Sequence, residues 1–297
     1  MGPLRFVVSL TNKDNDYQIE QAAAAQEAAK RLAVDVEILY ANNDAIEQSQ
    51  QLLKAIQSST SKPNGIVVEP VGTPLASAAR AAATAGIGWA LLNREADYIG
   101  ELRRSGTAPV FRISSDHKEI GRIQGRQFRA LLPKGGSVLY IQGPIGDAAD
   151  GRTAGMLETK PANISTRMLR GNWTEASAQK AVGSWRALST SRDEHIDVVG
   201  AQNDSMGMAS RQTFEAQSDK AEREKRRNIL FTGCDGLPKT GQEWVRRGLL
   251  KATVVVPPNT GTALEILVNA IKGGVNPPET AFTQVTSFPS LEVLAGR

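Results

Sequence analysis

Val198–Met206 reads VVGAQNDSM, and Ile229–Gly236 echoes it as ILFTGCDG. Each is a short apolar run that stops abruptly at small and polar residues, with an acidic group at the break. Runs of this length followed by helical patterns read as strands of a parallel sheet buried on both faces. In open α/β sheets, ligands sit in the crevice outside the carboxyl ends of the strands. Asn203, Asp204 and Asp235 are therefore where polar side chains should converge. Asp and Asn also favour helix N-caps. Capping is the preferred reading for Asp204, whereas cap and ligand contact stand as equal alternatives for Asn203 and Asp235.

Outward from this stretch the same alternation recurs. Strand patterns at Leu4–Leu10, Val34–Tyr40, Gly65–Val68 and Ile87–Leu92 alternate with helical patterns at Gln18–Leu32, Asp44–Gln57 and Pro74–Ala85. Asn93–Thr107 carries no clear period and reads as a loop at the sheet edge, before a strand at Val110–Ile113. The pattern then restarts with helix Lys118–Leu131, strand Ser137–Gln142, helix Ala148–Glu158 and strand Ser165–Leu169. It runs on through helix Thr174–Leu188, strand Ile196–Ala201, helix Ser205–Gln217, strand Ile229–Thr232 and helix Pro238–Arg247. Strand Ala252–Val256 and helix Thr260–Ile271 follow, and Phe282–Leu294 reads as extended and Pro-broken. Repeated βα units argue for parallel sheets with right-handed crossovers. Two such halves imply an α/β protein of two Rossmann-like lobes facing each other across a cleft.

A length of 297 residues suits two domains. A hydrophobic fraction of 40% and a charged fraction of 22% describe an ordinary globular chain. The net charge is +4, but acids and bases are interspersed, and the main basic run, KAEREKRR at Lys220–Arg227, contains two glutamates. Such a run reads as a solvated helix end or loop, so no nucleic-acid partner is expected. No apolar run reaches the length of a membrane span. The single cysteine, Cys234, excludes an intramolecular disulfide and a Cys-rich metal site. The start, MGPLRFVVSL, enters a strand without a secretory signal, which leaves open a cytoplasmic protein or a mature form whose leader has been replaced.

Catalytic and cofactor motifs are missing. His117 and His195 are far apart, and neither has a metal-ligand spacing. There is no G-x-S-x-G elbow, Walker loop or H-E-x-x-H. Gly86-Ile87-Gly88 lacks the rest of a dinucleotide fingerprint, and Asp14 and Asp16 begin a calcium-loop spacing that fails at Ile19. No cofactor, no metal and no enzymatic turnover are expected. What remains is a set of polar and aromatic residues at strand ends: Asn12, Asp16, Tyr17, Asn93, Arg94, Asp150, Arg152, Trp173, Asn203 and Asp235. These suit a polyhydroxylated ligand, since carboxylates and amides accept from hydroxyls and guanidinium and amide N–H groups donate to them. An aromatic face covers the C–H side of a sugar ring. The bland alternatives are ordinary packing for Trp173 and Tyr17 and a surface position for Arg152.

Taken in order, FVVSL-TN, EAAKRLAVDVEILYANND, GIVVEP, IGWALLNRE, ISSD, GRTAGM, AQNDSMGMA, FTGCDG and LLKATVVVPPNTG span nearly the whole chain. In order and spacing they resemble the type I periplasmic binding proteins of the ribose-binding kind, whose fold is shared with lactose-repressor-type effector domains. The resemblance implies a three-strand hinge near Ile113–Asp116, Lys251–Thr253 and Phe282–Val285. It also implies lobes of residues 1–113 with 253–280 and of residues 114–252 with 281–297. It assigns Arg94 and Arg152 to donate to ring hydroxyls, Asn203 and Asp235 to bind hydroxyls, and Trp173 and Tyr17 to sandwich the ring. Asn12 matches the family's first-loop asparagine approximately.

Three departures speak against ribose itself. Asn93 replaces the usual Asp of the family's Asp-Arg pair, Val256 stands where a Gln is common, and Lys13 and Asp16 occupy a loop that often carries an aromatic. The expected function is a monomeric solute-binding protein that captures a small sugar or polyol and delivers it to the permease of an ABC importer. It would act in the periplasm with its leader removed, or in the cytoplasm if Met1 is the native start. A ligand-sensing domain feeding a transcriptional regulator or sensor kinase is the alternative from another class.

Overall fold

The computed structural model describes residues 3–13, 16–72, 75–106, 108–191, 194–216 and 228–296. The basic run Lys220–Arg227 lies outside them. The chain forms two compact units, Met1–Ser115 with Pro258–Thr283 and Asp116–Pro257 with Gln284–Arg297. The crossings therefore fall at residues 115/116, 257/258 and 283/284. The sequence-based expectation placed them at 113/114, 252/253 and 280/281.

The first unit runs β1 (Arg5–Leu10), α1 (Asp16–Leu32), β2 (Asp35–Tyr40), α2 (Ala45–Gln57), β3 (Gly65–Val68), α3 (Ala76–Thr84) and β4 (Gly88–Leu92). It continues through α4 (Tyr98–Ser105) and β5 (Val110–Ser115), and the returning chain adds a helix, Thr260–Gly273, and a strand, Thr280–Thr283. Its six strands are all parallel, in the order Thr280–Thr283, β5, β4, β3, β1, β2. Both faces are covered, which is why the strands are near-continuous apolar runs. Phe6, Val8 and Leu10 pack with Ala22, Ala25, Leu264 and Leu267 on one face. Val7, Ile66, Val68, Trp89 and Leu91 meet Leu52, Ile56, Ala79 and Ile99 on the other.

The segment Asn93–Thr107, read from sequence as a loop, contains α4. Tyr98, Ile99 and Leu102 are buried on one side of that helix, while Glu101, Arg103 and Arg104 supply its charges. An i, i+1, i+4 apolar stripe this short is hard to distinguish from no period at all. Parallel neighbours β4 and β5 need a crossover between them, and α4 is that crossover.

The second unit runs α5 (His117–Leu131), β6 (Gly136–Gln142), α6 (Asp147–Thr159), β7 (Ile164–Arg170), α7 (Glu175–Ala187), β8 (Val198–Ala201), α8 (Asp204–Glu215), β9 (Leu230–Thr232) and α9 (Gly241–Arg246). β10 (Thr253–Val255) follows. In full chain order the two returning elements of the first unit are α10 and β11, and the second unit ends with β12 (Thr286–Phe288) and α11 (Leu291–Leu294). Strands β7-β6-β8-β9 form a parallel sheet, and β10 pairs antiparallel with β12. Leu139, Ile141 and Val199 pack against α7 and α8, and Val138, Tyr140 and Val198 against Phe128 and Met156. Two expectations are corrected here. α9 begins at Gly241 rather than Pro238, after a turn in which Thr240 N–H donates to the Leu237 carbonyl. The end of the chain is not wholly extended, because Ser290 caps the short α11 by accepting from the Val293 N–H.

In both sheets the strand order reverses between two neighbours, at β1/β3 and at β6/β8. Residues leaving the carboxyl ends of those strands flank the crevice in which open α/β sheets take ligands.

Candidate functional site

In the second unit, polar side chains gather at the ends of β8 and β9 on an unusual backbone. Asp235 has φ +106°, Gly236 φ +58° and Trp173 φ +61°. A positive φ in a non-glycine residue costs energy and persists only where its surroundings hold it. Asp235 is held on both sides, its N–H donating to the Val254 carbonyl (3.0 Å) and its carbonyl accepting from Val256 N–H (2.9 Å). Beneath it Asp204, 3% exposed, accepts from Gly236 N–H (2.7 Å) and from the Thr253 hydroxyl (2.6 Å). A Cβ at Gly233 or Gly241 would fall 2.2 or 2.0 Å from the Asp204 carboxylate, so glycine at both places lets it seat.

Arg152 reaches this loop from α6. It is 7% exposed and donates to the Gln202 carbonyl, with its guanidinium 3.9 Å from Asp235 Oδ1 and 5.3 Å from the centre of the Trp173 ring. A spacing of 3.9 Å is an ion pair without a direct hydrogen bond. A ligand hydroxyl can bridge it, accepting from the guanidinium and donating to the carboxylate. The Trp173 indole also lies on Gly143, where a Cβ would come within 2.2 Å of the ring. Asn203 caps α8 by accepting from Met206 N–H (2.8 Å) and donates to the Trp173 carbonyl (2.9 Å). Gln202 is fully buried, accepting from Gly143 N–H (2.8 Å) and donating to the Ala149 carbonyl (2.9 Å).

Charge here is concentrated. Burial pushes the Asp204 carboxyl well up, and the neighbouring Asp235 pushes it further. Burial also raises Asp235, to about 6, with Arg152 opposing. A quarter of the Asp235 side chain is open to solvent, so burial acts on it less than on the enclosed Asp204. His117, half-buried near the Arg152 charge, is pushed down to about 3 by desolvation and then by that charge, and is neutral.

The first unit builds its strand ends from amides. Glu69, half-buried after β3, accepts from Gln18 Nε2 (3.0 Å), Gln21 Nε2 (3.5 Å) and Asn93 Nδ2 (3.2 Å). Asn93, at φ +53°, accepts in turn from Asn259 Nδ2 (2.5 Å), and Asn259 Oδ1 accepts from the Thr283 hydroxyl (2.8 Å). Burial raises the Glu69 carboxyl against the amide bonds and the Arg94 charge. Arg94 itself is exposed. Asn12 follows β1 and donates to Asn43 Oδ1 (2.9 Å), Asp16 is exposed at the start of α1, and Tyr17 is half-buried beside it.

The ten sequence-selected residues therefore divide. Arg152, Trp173, Asn203 and Asp235 are brought together in the second unit. Asn93 belongs to the Glu69 cluster of the first unit, with Arg94 next to it in sequence. Asp150 is exposed on α6, two positions from Arg152, a spacing that does not share a helix face. The preferred cap assignment of Asp204 changes, and the two open alternatives are decided. Asn203, not Asp204, caps α8, and Asp235 caps nothing, since α9 starts five residues beyond Gly236 with Thr240 before it. Glu69, Gln18, Gln21, Asn259 and Gln202 were not singled out from sequence, and Asp204, singled out as a cap, faces inward instead. Among the described residues, no group of three His, Cys, Asp or Glu side chains is placed to hold a metal ion, and no helix is long and apolar enough to cross a membrane.

Residues 6–274 match the model of the periplasmic binding protein domain family. The chain belongs to this family. As a periplasmic binding protein it is 27% identical over 251 residues to the D-apiose import binding protein of Paraburkholderia graminis, covering 82% of this chain and 73% of that one. Its fold is similar to that of an ABC transporter periplasmic solute-binding protein from Actinobacillus succinogenes with bound D-allose. The TM-score is 0.80 at 19% identity, over 99% of this chain and 100% of that one. It is also similar to the periplasmic binding protein component of the arabinose ABC transporter from Shewanella sp. ANA-3, bound to L-arabinofuranose. There the TM-score is 0.78 at 20% identity, over 98% and 93% of the two chains. Two parallel sheets flanked by helices are thus the fold that the sequence implied.

Proposed function

We propose that this chain captures a small carbohydrate or polyol outside the cytoplasm and delivers it to an ABC importer. The observation that carries the reading is the grouping of Arg152, Trp173 and Asp235 at the strand ends of the second unit. A guanidinium donor, a carboxylate acceptor and an aromatic surface within one small region match a ring that carries hydroxyls on its edges and C–H groups on its faces. Part of the indole is already stacked on Arg152 and Gly143, so the half-exposed remainder is what a ring would cover. Family membership and the similarity to a D-apiose import binding protein support the same reading. Members of the family are binding proteins, and Arg152, Trp173 and Asp235 are arranged to hold a ligand.

Thermal unfolding in the presence of D-apiose, L-arabinose, D-allose and myo-inositol tests the proposal. A ligand that binds only the folded state stabilises it, by about 2.7 kcal/mol at a hundredfold excess over Kd. At least one of the four should raise the melting temperature, and NMR of the recovered sugar should show it unchanged. No shift with any of them, or chemical conversion of the bound one, overturns the reading.

A further inference from the structure

We infer that Gln202 is a positioning residue for carbohydrate binding: through Gly143 and Ala149 it sets the spacing between the Trp173 ring and the Arg152 guanidinium. The inference rests on the proposed function and names what holds that site in register.

Gln202 follows β8 and is fully enclosed. Its backbone N–H donates to the Ile141 carbonyl (2.9 Å), and its own carbonyl accepts from the Arg152 guanidinium. Its side chain bridges the connection from β6 to α6 at both ends. Oε1 accepts from Gly143 N–H (2.8 Å), while Nε2 donates to the Ala149 carbonyl (2.9 Å) and the Thr153 hydroxyl (3.0 Å). The amide therefore has one orientation. Turned over, it would set its NH2 against the Gly143 N–H and its oxygen against the Ala149 carbonyl. Thr153 is committed as well, donating to the Ala149 carbonyl (2.8 Å) and accepting from Gln142 Nε2 (2.7 Å) besides Gln202.

Both bridged points bear on the site. The Trp173 indole rests on Gly143, so the height of that glycine sets the height of the ring. Ala149 stands three positions before Arg152 on α6, so holding its carbonyl fixes the turn from which the guanidinium extends. Other holds on this connection are weaker. At its tip Ile145 is 85% exposed, and a Cβ at Gly146 would meet no atom within 4 Å. The Gly143 carbonyl accepts from Arg170 (3.1 Å), but Arg170 is exposed. Without the Gln202 amide, Gly143 would keep a buried N–H and lose its acceptor, a cost that the loop relieves only by shifting. Asn203, the next residue, holds the Trp173 carbonyl. The two neighbours thus fix the indole from its backbone and from beneath its ring. A ligand-holding group is only as well placed as the residues behind it.

The test uses the full chain with its four tryptophans replaced by 5-fluorotryptophan, the 19F resonance of Trp173 being assigned by Trp173→Phe. Titration calorimetry is run beside it, with whichever of D-apiose, L-arabinose, D-allose and myo-inositol binds the wild type most tightly. Gln202→Met keeps the length of the side chain and removes both halves of the bridge. It should move the Trp173 resonance and leave that of Trp89, in the first unit, where it was. Binding should weaken by about tenfold, the size of effect seen when partners behind a ligand-holding group are removed. Thr153→Val takes away one acceptor of the amide and spares the Gly143 bond, so it should move the same resonance less and weaken binding by about threefold. Thr153→Ser keeps the hydroxyl and should behave as the wild type. In Gln202→Met, an unmoved Trp173 resonance or a loss under about threefold overturns the inference and makes Gln202 an ordinary core tie. If that variant does not fold, Thr153→Val decides in its place, and a resonance and affinity equal to those of Thr153→Ser overturn the inference. If the wild type binds none of the four, the proposed function falls and this inference with it. If the wild type binds, the variants bear on Gln202 alone.

Discussion

The two units place polar groups at equivalent strand ends by opposite means. The second unit uses charge, with Arg152 beside Asp235 and Asp204, on a backbone bent through positive φ at Trp173, Asp235 and Gly236. The first unit uses neutral amides, with Gln18, Gln21, Asn93 and Asn259 arranged around one carboxylate. A charge cluster is sensitive to protonation and to the helix that carries its cation. An amide network is sensitive to the identity and orientation of each side chain.

The largest difference should lie in what supports each cluster. Arg152 rides on α6, which packs against α5 at glycine contacts so close that no side chain fits. A Cβ at Gly121 would lie 1.9 Å from the Arg152 carbonyl oxygen, and one at Gly155 1.9 Å from that of Lys118. Both obstacles are backbone, so relief requires the helices to separate. Gly121→Ala should cost about 3 kcal/mol, the upper end of overpacking penalties. It should lower the melting temperature by roughly 5–10 °C. Since the displaced atom belongs to Arg152 itself, sugar affinity of the folded variant should fall too. Unaltered melting and affinity would mean that the charge cluster does not depend on this helix contact.

Next in size is the aromatic surface. Trp173→Ala removes the ring stacked on Arg152 and the surface offered to a sugar, and binding should weaken by about 2–3 kcal/mol. Trp173→Phe should recover most of that. In the first unit Tyr17 is half-buried at the start of α1, and Tyr17→Ala should cost less. Equal losses in the two alanine variants, read by calorimetry, would erase the asymmetry between the clusters.

Acidity separates two properties of the charged cluster. A carboxyl whose pKa is higher in the folded chain than in the unfolded one binds a proton more readily when folded. Asp235 and Asp204 are both raised, so their joint contribution to stability should grow as pH falls from about 6 towards 4. Affinity should move the other way over the same interval, because a protonated Asp235 accepts less well. Neighbouring His117 is neutral throughout, and Tyr140 and Cys234 are pushed upward, so none of them titrates in this window. Asp235→Asn should weaken binding about tenfold at neutral pH and flatten the pH dependence of affinity. Affinity that falls as steeply with pH in that variant as in the wild type would assign the effect to another group.

The strand ends were legible because apolar runs that stop at polar residues have one reading in a parallel sheet. Asn203 and Asp235 stand at such stops, and the structure brings them together with Arg152 and Trp173. Less legible was whatever depends on distant partners. Asp204 reads as a cap until Thr253, 49 positions on, is seen donating to it. Glu69 stands at a strand stop as plainly as Asp235. A Glu before Pro nevertheless reads as a loop carboxylate, and the amides that mark it come from 51, 48 and 24 positions away. Helix α4 was hidden for a different reason: with eight residues it has a buried stripe of only Tyr98, Ile99 and Leu102.

The smallest expected effect is also the closest control on the largest. In the first unit α1 and α10 pack through alanines, and Gly261 sits at that contact as Gly121 does between α5 and α6. A Cβ there would meet the Ala24 carbonyl oxygen at 3.5 Å and Ala28 Cβ at 3.8 Å, which is ordinary contact. Gly261 lies in the first turn of α10, and its φ is not in the left-handed region that penalises a side chain. Alanine also restricts the unfolded chain more than glycine does, so Gly261→Ala should stabilise by about 0.4–1 kcal/mol. That is roughly a 1–4 °C rise in melting temperature. Affinity should stay as it is, because Gln21 receives its bond from the Thr260 N–H, whose backbone the substitution leaves in place. Measured beside Gly121→Ala, it holds the chemistry of the change constant and varies only the space around the new methyl group. If both variants melt lower by similar amounts, glycine flexibility rather than helix spacing governs these contacts, and the dependence of the charged cluster on close helix packing is lost.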